Sequence, residues 1–430
     1  MSETTWQDTC SRNDTCGLTG AAAFFCGIPR SEVLVNGPLW CYYYALRHLE
    51  HGQSGVAQRM AVSQPDNNAI VFGTEKFLLE TLDRLQREEH RPDLMLVENS
   101  CALSLIGDDL QGIVRKAGLP FPIVTMDSGG LDGGFAEGYA KASVALLRQS
   151  RWPKLPVRRG TVNVLGLTPF YYNGAADADE IVRLLTAAGY EVNAVPGCGS
   201  DVAALAKLPQ AEYNLVVQPE LGLPLAKALE EAYGTPYTVP GMPYGLDGTL
   251  AWLDRIGQVL PGQMDAVRRE GNAARDELAV WENELSLNWG ALWFDEIFVA
   301  APGTTAVCLA DAVRTEWIDT GRMTVYCQND VTTTAGLTSH EADAVLTAGK
   351  DSGQAARILR GLHGALLLAS SNESAFVQRD RQAVAVRNIA VPVKDEALLI
   401  RQPFCGIRGA AFMAQRLWNA YIGLKLADGK

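Results

Sequence analysis

Three cysteines in the first quarter of the chain share a local setting that suits the binding of a metal cluster. Cys16 precedes a glycine, Cys41 follows the apolar stretch EVLVN and the turn GPLW, and Cys101 directly follows DLMLVENS. Strand ends on one edge of a parallel sheet converge in space, so these thiols can meet although they are distant in sequence. Thiolates favour an iron–sulfur cluster or zinc. On composition alone, three unrelated buried thiols remain the alternative.

The other six of the nine cysteines have weaker settings. In a reducing compartment we expect thiols or metal ligands rather than disulfides. Cys10 lies close enough in sequence to Cys16 to reach a cluster, but a mobile terminus is the expected setting. Cys26 should pack within a helix, and Cys405, beside a glycine turn, is the one other candidate for chemistry. Three more lie in or beside apolar segments and are expected to be core thiols: Cys198, Cys308 and Cys327.

Length and composition limit the kinds of protein that can position these cysteines. A chain of 430 residues with 47% hydrophobic and 20% charged residues should form two or three globular domains. The formal net charge of −12 disfavours binding to nucleic acid or to an anionic membrane surface. Apolar stretches are strand-sized and the N-terminus does not resemble a signal peptide, so we expect a cytoplasmic protein without membrane association. The five histidines form no HxH, HExxH or HxxxH pair, which argues against a histidine-rich zinc site.

Short apolar strands alternate with helical patterns along the whole chain. In the first third we predict strands at residues 32–36, 69–72, 93–97 and 122–126, with a helix at Glu75–Arg87. A proline-containing linker at 151–160 precedes a second cycle, and a third cycle opens at 295 and ends near 389–393, before a closing helix. The sequence therefore predicts an α/β fold of three Rossmann-like domains with parallel sheets flanked by helices. We place the domains at residues 1–155, which carry the cluster cysteines, 156–290, and 291–430 with the closing helix.

The spacing of the three cysteines and the residues after the third one resemble the component 1 subunits of the nitrogenase family. Cysteines at positions 16, 41 and 101, followed by IGDDL at 106–110, match that family's pattern, and IGDDL is its most specific part. Acidic residues at a helix start are also favourable partners for the helix dipole. Further similar stretches are NAIVFGTEKFLLETL, FAEGYAKA, NLVVQPELG and FCGIRGAA. The resemblance covers most of the chain, and the QP pair is closer to the β subunit.

This resemblance implies a division of labour between two subunits. In the nitrogenase α subunit a cysteine and a histidine hold the catalytic cofactor, and the matching positions here are Gln218 and Cys405. An amide is a poor iron ligand, so the resemblance implies no catalytic residue in this chain. It implies instead that Cys16, Cys41 and Cys101 supply half the ligands of a bridging cluster. That cluster would be an eight-iron P-cluster (8Fe-7S) or a four-iron cluster (4Fe-4S), shared with the partner subunit.

One further ligand and two partners follow from the same resemblance. Ser128 lies near the position of a redox-dependent serine ligand in the nitrogenase β subunit, although a plain serine in a glycine-rich turn is the alternative. The expected partners are a homologous α-like catalytic subunit, in an α2β2 heterotetramer, and a separate homodimeric iron protein that hydrolyses ATP. This chain contains no GxxxxGKS or GxxxxGKT motif, so ATP hydrolysis must belong to another protein.

Three functions are compatible with these features. The first is a β-like subunit of a nitrogenase-like reductase that relays electrons to its partner, with methylthio-alkane reductase, which cleaves carbon–sulfur bonds, as the best single match. The second is the smaller subunit of a dark-operative tetrapyrrole reductase of the protochlorophyllide type, whose cysteine spacing is nearly the same. The third is a non-catalytic scaffold for cofactor assembly. Scaffolds can lack the bridging-cluster cysteines, whereas this chain keeps all three.

Overall fold

The computed structural model describes residues 15–66, 68–69, 73–87, 91–127, 133–377, 383–397 and 399–427. Within these residues the strands form three separate sheets, and every strand pair is parallel. Strands of parallel sheets are covered on both faces and are therefore apolar throughout, as in the wholly buried ALLLA at Ala365–Ala369. The predicted α/β class with parallel sheets flanked by helices is confirmed, and the domain boundaries stay predictions.

The first sheet has the strand order β2-β1-β3-β4. Its strands are β1 Ser31–Asn36, β2 Met60–Val62, β3 Leu94–Asn99 and β4 Ile123–Asp127. Its helices are α1 Gly17–Cys26, α2 Leu39–Leu49, α3 Glu75–Arg87, α4 Cys101–Ile106, α5 Leu110–Ala117 and α6 Phe135–Ser150. The strand predicted at 69–72 is wrong where it can be checked, because residues 68 and 69 are helical and 70–72 lie outside the described residues. Its place beside β1 is taken by β2, which pairs Met60 with Val33.

The second sheet has the order β6-β5-β7-β8, and the third has the order β11-β10-β9-β12-β13. The strands of the second are β5 Arg158–Leu165, β6 Glu191–Ala194, β7 Ala211–Val216 and β8 Tyr237–Thr238. Those of the third are β9 Trp293–Ala301, β10 Asp319–Cys327, β11 Ala344–Thr347, β12 Ala365–Ala369 and β13 Val384–Asn388. The main helices around them are α7 Gly174–Ala187, α8 Val202–Leu205, α9 Pro219–Tyr233, α10 Leu246–Val259, α11 Asp265–Trp289, α12 Gly303–Ala312, α13 Val331–Ala335, α14 Ser352–Gly361, α15 Ser371–Ser374 and the closing helix α16 Gly406–Ala427. Among the described helices, none combines the length and apolarity needed to cross a membrane.

Helices α1 and α6 cross in direct backbone contact, and this contact positions Cys16. A Cβ atom at Gly20 would lie 1.9 Å from the carbonyl oxygen of Phe135, and one at Gly138 would lie 1.9 Å from that of Gly17. Real Cβ atoms essentially never come this close, so only glycine permits the crossing. The N–H of Gly17 also donates to the carbonyl of Gly133 at 3.0 Å. Cys16, one residue earlier, is thereby held at the start of α1.

A buried carboxylate joins the closing helix to the second sheet's helices. Asp177 on α7 accepts hydrogen bonds from the backbone N–H groups of Phe404, at 2.6 Å, and Cys405, at 3.1 Å. These two groups lie immediately before α16, where the free N–H groups of a helix start need acceptors. The side chain of Asp177 is 5% exposed, so the bond is shielded from water.

Candidate metal-cluster site

All three predicted ligands lie at the beginning of a helix in the first sheet's layer. Cys16 directly precedes α1, Cys41 lies in the first turn of α2, and Cys101 is the first residue of α4. The last two follow β1 and β3, which pair side by side with Asn36 opposite Asn99. The loops that carry Cys41 and Cys101 therefore leave the sheet from adjacent points, as the carboxyl-edge argument predicts.

The electrostatics of Cys41 place the three thiols in one neighbourhood. The pKa of Cys41 is raised to about 11, first by partial burial and then by Cys16, Cys101 and Glu98. The thiol therefore keeps its proton at neutral pH when no metal is bound. Because metals bind the thiolate, loading this site must release a proton.

A single metal ion and an iron–sulfur cluster require different arrangements of the cysteine sulfurs. In the described part of the chain, no group of three or more His, Cys, Asp or Glu side chains is arranged to hold one metal ion. Zinc would need its sulfur ligands within about 2.3 Å of one centre. In an iron–sulfur cluster the cysteines bind different iron atoms, so their sulfurs stand farther apart.

Three buried hydroxyl groups that have no partner among the described residues lie next to Cys16 and Cys101 along the chain. Within the described residues, the buried oxygens Thr15 Oγ1, Ser100 Oγ and Ser104 Oγ accept and donate no hydrogen bond. Thr15 adjoins Cys16, while the two serines bracket the first turn that Cys101 begins. Buried polar groups are nearly always paired, so each exception calls for an explanation. The sulfide and thiolate acceptors of a cluster at this place supply one, and the residues therefore fit such a group.

A buried hydrogen-bond network lies behind the cysteine loops, at the ends of all four strands. The Nδ2 of Asn36, the last residue of β1, donates to Asn99 Oδ1 at 2.8 Å, and Asn99 Nδ2 donates to Asp127 Oδ1 at 2.8 Å. Ser63, just after β2, donates to Asn36 Oδ1 at 2.7 Å and accepts from the N–H of Gly37 at 3.2 Å. A fully satisfied polar network of this kind makes the structure around it rigid. It fixes the points from which the Cys41 and Cys101 loops begin.

The two acids of the IGDDL motif have separate structural roles. Asp108 Oδ2 accepts hydrogen bonds from Thr74, from the backbone N–H at 2.7 Å and the hydroxyl at 2.8 Å. Thr74 Oγ1 in turn accepts from Asn36 at 3.2 Å, which connects the motif to the network behind the cysteines. Asp109 caps α5, accepting from the N–H of Gly112 at 2.9 Å, as expected for an acid at a helix start. The network residues were missed from sequence, although a polar residue that ends a buried strand was the available signal.

Large apolar side chains on α2 and α4 are exposed around the cysteines. We call this surface the aromatic patch, and it consists of Leu39, Trp40, Tyr43, Tyr44 and Leu105, which are between 46% and 75% exposed. Trp40 stacks on Tyr44 with ring centroids 6.1 Å apart. Contiguous exposed apolar surface on a folded chain is typical of an interaction site.

Comparison with known proteins identifies the family of this chain. The model of the family described as "Nitrogenase component 1 type Oxidoreductase" matches residues 16–422. The chain belongs to the nitrogenase component 1 family. It is accordingly a subunit of a nitrogenase-like oxidoreductase, and this match confirms the resemblance that the cysteine spacing and IGDDL indicated. Iron–sulfur clusters are bound by members of this family, in agreement with the fit of the three cysteines.

The chain is also similar to individual members of known function and to a solved structure. The chain is 25% identical over 411 residues to a light-independent protochlorophyllide reductase subunit from Trichormus variabilis, covering 91% of this chain and 79% of that protein. It is 30% identical over 201 residues to the corresponding subunit from Chloroflexus aggregans, covering 47% of this chain and 36% of that protein. A solved structure, "Nitrogenase Cp1 at pH 6.5", superposes with a TM-score of 0.76 at 16% identity, covering 96% of this chain and 93% of that one. At this identity the structural match shows the shared fold.

Gln218 and Cys405, which the resemblance places at the cofactor-ligand positions of the nitrogenase α subunit, are both buried. The Nε2 of Gln218, at the start of α9, donates to Thr305 Oγ1 at 3.4 Å, while its Oε1 has no hydrogen-bond partner among the described residues. The thiol of Cys405 is fully buried and donates to the carbonyl of Asp177 at 3.7 Å, and burial raises its pKa well above the ordinary value. The cavity that Gln218 lines has room for roughly one water molecule.

Of the remaining cysteines, Cys26 and Cys327 are buried in the apolar cores, whereas Cys198 and Cys308 are partly buried and pack against one. Burial raises the pKa of each of these four thiols to about 11 or 12. Cys26 is the last residue of α1, where the sequence placed it in helix packing. Cys10 and Ser128 lie outside the described residues, so their suggested roles stay predictions.

Proposed function

We propose that this chain is the β-like subunit of a nitrogenase-like reductase and relays electrons through an iron–sulfur cluster at its interface with a homologous partner. One observation supports the proposal: Cys16 and Cys101 are close enough to Cys41 to raise its pKa, and Cys41 lies beside the aromatic patch. A site that is closed inside one chain would be covered by its own residues. This one opens onto apolar surface that a second chain can cover.

In this proposal Cys16, Cys41 and Cys101 provide thiolate ligands, and the strand-end network holds two of their loops in place. When bound, the cluster supplies one-electron transfer between an external donor and the partner's active site. Three thiolates leave iron atoms without protein ligands, so the partner supplies the remainder. Covering by the partner also excludes water, which strengthens every electrostatic interaction at the site.

The partner carries out the catalysis in this proposal. The proposal rests on Gln218 and Cys405, because neither repeats the cysteine and histidine that hold the catalytic cofactor in the nitrogenase α subunit and an amide is a poor iron ligand. We therefore propose an α-like catalytic subunit in an α2β2 heterotetramer, and a separate ATP-dependent homodimeric iron protein as electron donor. Iron counting distinguishes the two cluster types, because an 8Fe-7S cluster brings twice the iron of a 4Fe-4S cluster per αβ pair. Ser128 would serve as a further ligand only to the larger one.

The similar proteins favour a tetrapyrrole substrate over a thioether. Relatives aligned along most of the chain are named subunits of light-independent protochlorophyllide reductase, which corresponds to the second of the three functions considered from sequence. Carbon–sulfur cleavage of methylthio-alkanes has no such support. We therefore propose that the assembled enzyme reduces a protochlorophyllide-type macrocycle.

The ligand assignment is tested by iron content in the complex co-expressed with its α-like partner and purified without oxygen. Cys101→Ala should lose the cluster and the reductase activity together. Cys327→Ala is the matched control, because Cys327 also ends a parallel strand but belongs to the third sheet's core. Full iron content in the Cys101→Ala complex would remove Cys101 from the ligand set.

The substrate is tested with the same wild-type complex, given the iron protein and ATP. Loss of protochlorophyllide absorbance with formation of the reduced macrocycle supports the tetrapyrrole assignment. If a methylthio-alkane is instead cleaved to methanethiol and a hydrocarbon, and the macrocycle is unchanged, the thioether is the substrate. Neither outcome alters the test of the cysteine ligands.

A further inference from the structure

Ser100 occupies a tightly held position between β3 and Cys101. Its N–H donates to the carbonyl of Asn36 at 2.9 Å, and its carbonyl accepts from the N–H groups of Leu103 and Ser104 at 3.1 and 2.9 Å. The side chain is 0% exposed. These backbone hydrogen bonds hold the main chain of Ser100 in place.

The side chain of Ser100 is packed between the two cysteine-bearing loops. A Cβ atom at Gly37, which starts the loop leading to Cys41, would lie 2.6 Å from Ser100 Cβ and 2.7 Å from Ser100 Oγ. The hydroxyl therefore lies against one loop while its own backbone continues directly into Cys101. No described residue accepts its proton.

A buried hydroxyl with no partner is unfavourable, because it has lost its bonds to water and gained none. The free-energy penalty of burying such a hydroxyl is removed where a bound group provides the hydrogen-bond acceptor. The hydroxyls of Thr15 and Ser104 repeat the same situation beside Cys16 and one turn after the start of α4. The thiolate and sulfide sulfurs of the proposed cluster are hydrogen-bond acceptors, and one of these thiolates belongs to Cys101, the residue directly after Ser100.

We propose that the hydroxyl of Ser100 donates a hydrogen bond to a sulfur of the cluster and thereby raises the cluster's reduction potential. This inference rests on the proposed function, since it requires a cluster at the three cysteines. Reduction adds negative charge to the cluster, and a donor stabilises the more negative state more strongly. Removing the donor must then make the cluster harder to reduce, while its iron ligands stay intact.

The test is a redox titration of the assembled wild-type and Ser100→Ala complexes, followed by electron paramagnetic resonance. At a fixed potential, the ratio of reduced to oxidised cluster should fall about tenfold in the variant, which corresponds to 59 mV for a one-electron couple. Iron content should be unchanged. Ser143→Ala is the matched control, because Ser143 is a buried helical serine whose hydroxyl already donates to the Ala140 carbonyl at 2.7 Å.

The thermal midpoint of the metal-free chain gives a second, independent test. There the hydroxyl has no acceptor, so Ser100→Ala should leave the thermal midpoint of the apo chain unchanged or raise it. Ser143→Ala, which loses a hydrogen bond, should lower it. A fall in the apo midpoint of Ser100→Ala equal to that of the control would show that Ser100 has an ordinary structural role and would overturn the inference.

The outcomes separate this inference from the function on which it rests. A wild-type complex without iron overturns the proposed function itself. An iron-replete Ser100→Ala complex with an unchanged or higher potential overturns only the role of Ser100. If Ser100→Ala loses its iron, Ser100→Thr, which keeps the hydroxyl, must restore both iron and potential, and a failure to do so also overturns the inference.

Discussion

A single methyl group at the crossing of α1 and α6 should remove the cluster. In Gly138→Ala the new Cβ would lie 1.9 Å from the carbonyl oxygen of Gly17, the residue directly after Cys16. The three atoms nearest to this position all belong to the backbone of Gly17, so no flexible side chain can rotate away. Relief requires α1 and α6 to move apart.

The size of that movement follows from ordinary contact distances. Normal van der Waals contacts of a Cβ begin at 3.4 Å, so the helices must separate by about 1.5 Å at this point. Overpacking of this kind costs about 3 kcal/mol or more, since the obstacle is backbone. Functional ligands must stay within about 0.5 Å of their productive positions, and Cys16 moves with α1. The variant should therefore lose iron in addition to stability.

The assay is iron content and thermal midpoint of the anaerobically purified complex. Gly423→Ala is the matched control, because Gly423 is also helical but a Cβ there meets nothing within 4 Å. Replacing an open helical glycine by alanine should be neutral or stabilising by up to about 1 kcal/mol. If Gly138→Ala retained the iron and midpoint of Gly423→Ala, the argument that glycine contacts position Cys16 would be refuted.

Two further predictions concern the closing helix and the aromatic patch. Burial raises the pKa of Asp177 to about 6 from 3.8, and the N–H donors that lower it offset only part of this rise. The folded state therefore binds this proton more tightly than the unfolded state does. The contribution of Asp177 to the free energy of unfolding is complete below pH 4. It falls by about 3 kcal/mol as the pH rises through 6. The midpoint of Asp177→Asn relative to wild type should rise between pH 4 and pH 7, and a constant difference would contradict this assignment. Replacing Trp40 and Tyr44 together by serine should weaken association with the α-like partner at least tenfold in light scattering or pull-down, because exposed aromatic residues carry much of the energy of an interface. Trp281→Ser, an exposed tryptophan on α11, is the control, and equal association of both variants would argue against the patch as the interface.

The sequence was most informative about elements whose burial pattern is local. The helix Glu75–Arg87 was predicted with its observed bounds, and β12 was recognisable as a short, wholly apolar run. β2 was missed because it has only three residues, and its strand conformation depends on pairing with β1. Short elements of this type carry little signal of their own.

The sequence also determined the candidate ligands and the family. The placement of Cys41 and Cys101 after strands, the spacing from Cys16 and the IGDDL motif were sufficient for both, because parallel strands bring their carboxyl ends together in any such fold. Tertiary structure decided the surroundings: the Asn36–Asn99–Asp127 network, the unpaired hydroxyl of Ser100 and the exposure of Trp40. Whether a serine is paired or a tryptophan is covered depends on residues that are distant in sequence and become neighbours only on folding. Periodicity along the chain carries no information about those contacts, whereas it does record which residues each strand and helix must bury.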